Sequence, residues 1–223
     1  MPAKLFLFDL DGTLIDTAPD LVHAANLVRT VRGLPALPFE EMRPLASRGA
    51  PGLIGHAFDI TKTDERFPAL RDEFLENYRQ SMTALSRPFE GIIPMLDALR
   101  AAGIKVGIVT NKYERLALAL VHGLHLSSYF DIILGSDSSG CAMKPAPDSF
   151  FTAAERLSIS LSETLYAGDD PRDVDGAHAA GLPCAAVRWG YLPSNPDTWR
   201  AEFVADTPHQ LVTWALAFHK NSL

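Results

Sequence analysis

Short, wholly apolar runs recur along the chain, and stretches with helical spacing separate them. The first is Leu5-Phe6-Leu7-Phe8, following Lys4. Ile104 to Thr110, Phe130 to Gly135, Thr164 to Asp169 and Cys184 to Trp189 follow, and a weaker run surrounds Phe203. Apolar runs of this kind, without alternation, predict strands buried on both faces. Between them, Ile92 to Gly103 carries apolar residues at helical spacing and closes on a glycine suited to the position after a helix. Tyr113 to Leu124, Ala146 to Ile159 and Pro171 to Gly181 repeat the pattern, with Asp148 and Pro171 near helix starts. Strand and helix in alternation predict a parallel sheet covered on both faces.

One region departs from this rhythm. From Thr17 to Thr83 the spacing is helical and no strand is predicted. Leu21, Ala24, Ala25 and Val28 form one stripe; Phe67, Leu70, Phe74 and Tyr78 form another. Leu45 to Gly55 between them is expected as a glycine-containing turn. The predicted organisation is therefore a sheet-bearing core, residues 1–16 and 84–223, with a small helical insert at 17–83. No internal repeat or low-complexity segment interrupts it.

Composition narrows the function. With 223 residues, 47% of them hydrophobic, the chain can bury a sizeable core. A net charge of −7 without a basic run argues against nucleic acid as partner. No apolar stretch approaches the length that spans a bilayer, and the N-terminal apolar run is cut short by Asp9, unlike a signal peptide. The two cysteines, Cys141 and Cys184, have neither metal-site nor disulfide-framework spacing; free thiols in a reducing cytoplasm are expected.

Candidate chemistry lies where the strands end, because ligands of open α/β sheets bind outside the carboxyl ends of the strands. The first strand ends in Asp9-Leu10-Asp11-Gly12-Thr13, the second in Thr110-Asn111-Lys112. Lys144-Pro145 follows the third. The fourth ends in Gly168-Asp169-Asp170, with Asp173 beyond. Carboxylates gathered this closely need a cation, and Mg²⁺, with oxygen ligands and a substrate phosphate, is the expected one. Thr110 and Asn111 at a strand-to-helix junction, with Lys144, suit the phosphate. Asp9 and Asp11 are two apart, so in extended chain both face one substrate. Asp9 is the candidate nucleophile; Asp11 is the candidate acid, then base. Asp170 is expected to cap the helix at Pro171 rather than bind metal. Trp189 and Tyr191 are read as packing, His23 as a surface or packing residue, and Asp16 as orienting or capping the entry to the insert.

Together, "FDLDGTLID", "VTNK", "KPAP" and "GDDPRD" resemble, in order, the four motifs of the haloacid dehalogenase superfamily. The resemblance implies a Rossmann-like core, Mg²⁺ and an aspartyl-phosphate intermediate. It implies metal contacts from the Asp9 side chain, the Asp11 backbone carbonyl and Asp169, with Asp173 as a ligand or a support. The insert then resembles a helical cap whose loop, including Arg48 and Gly49, supplies specificity. The layout is similar to phosphoglycolate phosphatases. "SRPFEG", "GDDPRDVDGAHAAG" and the C-terminal tail also resemble phosphatases of N-acetylmuramic acid 6-phosphate. A sugar phosphate mutase like β-phosphoglucomutase is a further alternative. One departure is Asp170, where the superfamily commonly has Ser or Thr. A small phosphorylated metabolite is the expected partner, and a monomer or homodimer the expected state.

Overall fold

The computed structural model describes residues 3–138 and 140–218. The chain opens with β1 (Leu5–Phe8), a two-residue β2 (Ile15–Asp16) and α1 (Ala18–Thr30). Then come α2 (Phe39–Met42), a 3₁₀ segment (Arg43–Arg48), α3 (Gly49–Phe58) and α4 (Phe67–Ser81). After a second two-residue strand, β3 (Arg87–Pro88), the order is α5 (Ile92–Ala101), β4 (Lys105–Val109), α6 (Glu114–Gly123) and β5 (Ile132–Leu134). It ends with α7 (Asp148–Leu157), β6 (Thr164–Gly168), α8 (Pro171–Ala179), β7 (Cys184–Val187), β8 (Phe203–Ala205) and α9 (Pro208–Ala217).

Six strands form one parallel sheet in the order β5-β4-β1-β6-β7-β8. β1 is central, and its alternating side chains serve two cores. Phe6 and Phe8 pack with Leu96, Leu99 and Leu120; Leu5 and Leu7 pack with Phe150, Tyr166 and Val174. Both faces therefore demand apolar residues, which is why the strand reads as a continuous apolar run. Strand order reverses beside β1: the chain runs outward through β4 and β5, then returns to β6 on the other side. That reversal opens the crevice at the carboxyl end of β1. The fold is the expected α/β class, a Rossmann-like parallel sheet with an inserted helical cap.

The cap lies between β2 and β3, which pair antiparallel through Ile15↔Pro88 and Asp16↔Arg87. α4 buries Phe67, Leu70, Phe74 and Tyr78, and α1 buries Leu21, Ala24, Ala25 and Val28, as their spacing predicts. Asp20 ties the cap's entry to its exit. Its buried carboxylate accepts from Ser86 N and Ser86 Oγ, both at 2.7 Å, and from Leu85 N.

The expected turn at Leu45 to Gly55 is instead mostly helical. A 3₁₀ segment runs to Arg48, Gly49 reverses the chain at φ +56°, and α3 begins. Leu53, Ile54 and Ala57 share a buried face that holds α3 in place despite its glycines. Among the described residues no helix is long and apolar enough to cross a membrane.

Candidate active site

Because β1 is fixed on both faces as far as Phe8, it delivers Asp9 to the sheet edge in register: Asp9 N donates to Ala167 O at 2.9 Å. Asp9 Oδ1 accepts from Leu10 N at 2.8 Å and lies 3.1 Å from Lys144 Nζ. The chain then turns at Gly12, whose φ is +86°. A Cβ there would fall 2.2 Å from Asp169 Oδ2 and 2.8 Å from the Tyr191 ring. Only glycine suits both that backbone and those neighbours.

Lys144 enters from the loop before α7 and is buried. Besides Asp9, its ammonium donates to Asp173 Oδ1 and Tyr166 OH, both at 2.6 Å, and to Val109 O at 3.0 Å. Burial works to lower its pKa, but Asp173 and Asp9 override burial and raise it. Asn111 braces the backbone here: Asn111 Nδ2 donates to Lys144 O at 3.1 Å and Oδ1 accepts from Lys144 N at 2.7 Å. The Asn111 amide, expected at the phosphate, thus holds the lysine that faces it. Thr110 is also buried, and its Oγ1 accepts from Lys112 N at 3.2 Å.

Asp169 is buried where β6 ends. Its Oδ1 accepts from Thr13 Oγ1 at 2.8 Å and its Oδ2 from Tyr191 N at 2.9 Å. Burial, then Asp9 and Asp173, push its pKa well above the usual carboxylate range. Burial likewise raises Asp9, to about 6, against the pull of Lys144. Asp9, Asp169 and Asp173 each offer an oxygen within 4.8 Å of the others. Carboxylates so close and so little exposed repel one another unless protons or a cation neutralise them. A set of hard oxygen donors fits Mg²⁺.

Asp173 also serves structure. Its Oδ1 accepts from Lys144 and, at 2.8 Å, from Tyr166 OH; its Oδ2 accepts from Asp170 N at 3.0 Å. Asp170 is the N-cap of α8, its side chain accepting from Arg172 N, and it closes a capping box with Asp173. The Arg172 guanidinium also binds both Asp170 oxygens at 2.8 Å. Burial opposes the Asp170 carboxylate, yet Arg172 prevails and lowers its pKa. The additional charge expected from Asp170 is therefore paired. The same Arg172 donates to Ser47 O at 2.7 Å, joining α8 to the cap.

Asp11 turns its side chain away from that cluster. Its Oδ1 accepts from Thr17 Oγ1 at 2.6 Å, and both oxygens lie 3.0 Å from Lys112 Nζ. Tyr191, expected as packing, reaches further. Its hydroxyl accepts from Thr17 N at 2.8 Å and Ala18 N at 2.9 Å, and donates to Asp16 at 3.1 Å. Asp16 pairs with Arg43 at 3.6 Å. Thr13, expected to hydrogen-bond within the Gly12 turn, donates to Asp169 instead; Lys112, Tyr166 and Arg172 are the site's other residues that sequence reasoning did not assign. Lys112 alone carried a signal, by following Asn111 at a strand end.

A cavity of about 780 Å³ separates the sheet edge from the cap. Asp9, Asp11, Thr110, Asn111, Lys144, Asp169 and Asp173 line one side; Leu45, Phe67, Phe74 and Tyr78 line the other, with Arg48 and Gly49. All the candidate residues thus meet one space. His23 is exposed and lies outside the cavity lining.

Residues 6–187 match the model of the haloacid dehalogenase-like hydrolases. A phosphoglycolate phosphatase of Xylella fastidiosa strain Temecula1 is 40% identical over 210 residues, 93% of this chain and 91% of its own. The N-acetylmuramic acid 6-phosphate phosphatase of Pseudomonas aeruginosa is 36% identical over 214 residues, 95% of this chain and 94% of its own. Among solved structures, a predicted phosphoglycolate phosphatase of Haemophilus somnus 129PT superposes with a TM-score of 0.85 at 25% identity, covering 95% of this chain and 97% of that one.

Proposed function

The chain belongs to the haloacid dehalogenase-like hydrolase family, and from that premise we propose a Mg²⁺-dependent hydrolase of a small, acidic phosphate monoester. One observation carries the proposal. A partly buried carboxylate, Asp9, stands with buried Asp169 and Asp173 in a three-carboxylate cluster facing the cavity, while its neighbour Asp11 faces the same cavity from outside that cluster.

Asp9, the Asp11 backbone carbonyl and Asp169 would hold the metal, with Asp173 behind them bracing Lys144 and α8. Bound there, Mg²⁺ would neutralise phosphate charge and keep Asp9 ionised. The Asp9 carboxylate attacks phosphorus, forming the aspartyl-phosphate as the substrate's ester oxygen leaves. Asp11 gives that oxygen a proton, then takes one from the water that releases phosphate. Lys144 orients Asp9 and offsets its charge. The β4–α6 junction at Thr110 and Asn111 receives the phosphate oxygens.

The pKa directions give a first prediction. Asp9 and Asp169 bind protons more tightly folded than unfolded. Without metal, stability therefore falls as pH rises from the unfolded carboxylate range through about 6. A cation reverses that loss. Saturating Mg²⁺ should raise Tm by roughly 5–10 °C at neutral pH, and the shift should shrink toward pH ~5 as protons compete. Thermal unfolding across pH measures this; a Tm indifferent to Mg²⁺ at neutral pH would contradict it.

For the substrate, the names of the relatives support phosphoglycolate first. The cavity favours a second reading. Its 780 Å³ equals roughly two dozen waters of liquid volume, and a two-carbon acid would fill little of it. Apolar walls at Leu45, Phe67 and Phe74, with exposed Arg48 at the rim, suit the sugar and lactyl carboxylate of N-acetylmuramic acid 6-phosphate. Comparing kcat/KM for the two esters with Mg²⁺ decides between them. Preference for phosphoglycolate upholds the first reading, preference for the amino sugar the second; activity on neither would overturn both. Free phosphate as product also separates hydrolysis from transfer within a sugar.

A further inference from the structure

Lys112 lies in the junction between β4 and α6, and no step above uses it. Its ammonium is equidistant from the two oxygens of Asp11, 3.0 Å from each. The side chain is only 6% exposed and that of Asp11 17%, so this is an enclosed pair rather than a surface ion pair. On its other side the ammonium stands 4.4 Å from the centroid of the Tyr78 ring. Asp11 and Lys112 belong to the core; Tyr78 belongs to α4 of the cap. All three line the cavity. The Tyr78 hydroxyl is buried and has no hydrogen-bond partner among the described residues. What that residue contributes here is its ring, laid over the cation.

We infer that Lys112 is a positioning residue for the proton transfers of Asp11, and that Tyr78 couples it to the cap. The inference rests on the reading of Asp11 as acid and base. Asp11 must present one oxygen to the leaving group and later to water, so its carboxylate plane has to be set before the substrate arrives. Thr17 fixes one oxygen from the cap's entry. A single hydrogen bond leaves rotation about that contact open; the two-point contact with Lys112 closes it. Lys112 in turn needs a wall, because a flexible four-carbon stem does not hold an ammonium in one place. The Tyr78 ring is that wall, and it arrives with the cap. The pair is thereby complete only when the cap lies over the core, which is when proton transfer is wanted.

The test uses leaving groups. An alkyl phosphate, whichever of 2-phosphoglycolate and N-acetylmuramic acid 6-phosphate is turned over, needs a proton on its departing oxygen; p-nitrophenyl phosphate does not. At saturating Mg²⁺, Lys112→Met should lower kcat/KM, which reports the steps up to formation of the aspartyl-phosphate, by about 10²-fold on the alkyl phosphate and by under about tenfold on p-nitrophenyl phosphate. Lys112→Arg should recover most of the loss. Tyr78→Leu should lower kcat/KM in the same leaving-group-dependent way, less steeply. Lys112→Gln replaces the Met variant if that one unfolds. Equal losses of kcat/KM on both substrates, or no loss on either, would overturn the positioning role. Tyr78→Leu treating both substrates alike would overturn the coupling. Asp11→Asn in the same assay keeps the two readings apart: if it shows no leaving-group dependence, the acid role of Asp11 fails, whatever Lys112 does.

Discussion

Replacing Asp9 with asparagine should lower kcat by at least about 10⁴-fold while leaving the metal-free Tm unchanged or raised. The amide keeps the shape but is not a nucleophile, so no aspartyl-phosphate can form. Stability moves the other way for an electrostatic reason. Burial, Asp173 and Asp11 all push the Asp9 pKa upward, and only Lys144 and the Leu10 N–H favour its charge. A neutral side chain removes that repulsion, while Lys144 keeps Asp173 as a partner at 2.6 Å. Phosphate release and thermal unfolding, measured on one preparation, check both halves. A Tm that collapsed with activity would mean the loss reports folding, not chemistry.

Lys144→Met should cost more in stability than any other single change at the site. The ammonium is the shared cation of Asp9 and Asp173 and also donates to Tyr166 and Val109. Breaking a buried pair by removing one partner costs about 3–5 kcal/mol, or roughly 10 °C in Tm for a chain of this size. The sign with pH follows from the carboxylates left behind. The Asp9 pKa, already raised to about 6, loses the opposing pull of Lys144 and rises further above its unfolded value, so the penalty is absent below the unfolded carboxylate range, near pH 4, and grows as pH rises. The variant should therefore approach wild-type Tm in acid and fall away from it toward neutrality. A deficit independent of pH would show that lost packing, rather than uncompensated charge, is the cause.

Much of the site could be read from the sequence because it hangs on strand ends. Leu5 to Phe8 is apolar on both faces, so the register of Asp9 follows directly from where the run stops. The same logic located Asp169 after Thr164 to Gly168. What could not be read depends on partners distant in sequence. Asn111 holds the backbone of Lys144 from 33 positions away. Lys112 meets Asp11 across 101 positions, and nothing local in "VTNK" tells which carboxylate it will choose. Tyr191 reads as packing because it follows the fifth apolar run; its hydroxyl matters only once Thr17 and Asp16 are beside it. The two-residue β2 and β3 are too short for any periodicity. At Gly49 to Gly55 the glycines argued for a turn, and the buried face of Leu53, Ile54 and Ala57 overrode them.

The central claim is that Asp9 carries the phosphoryl group between substrate and water. Acid quenching during turnover of the preferred ester with Mg²⁺, followed by mass spectrometry of the proteolytic peptides, tests it most directly. A phosphorylated peptide containing Asp9 is expected, one that hydroxylamine strips and that Asp9→Asn lacks. Steady phosphate release with the label on another residue would contradict it.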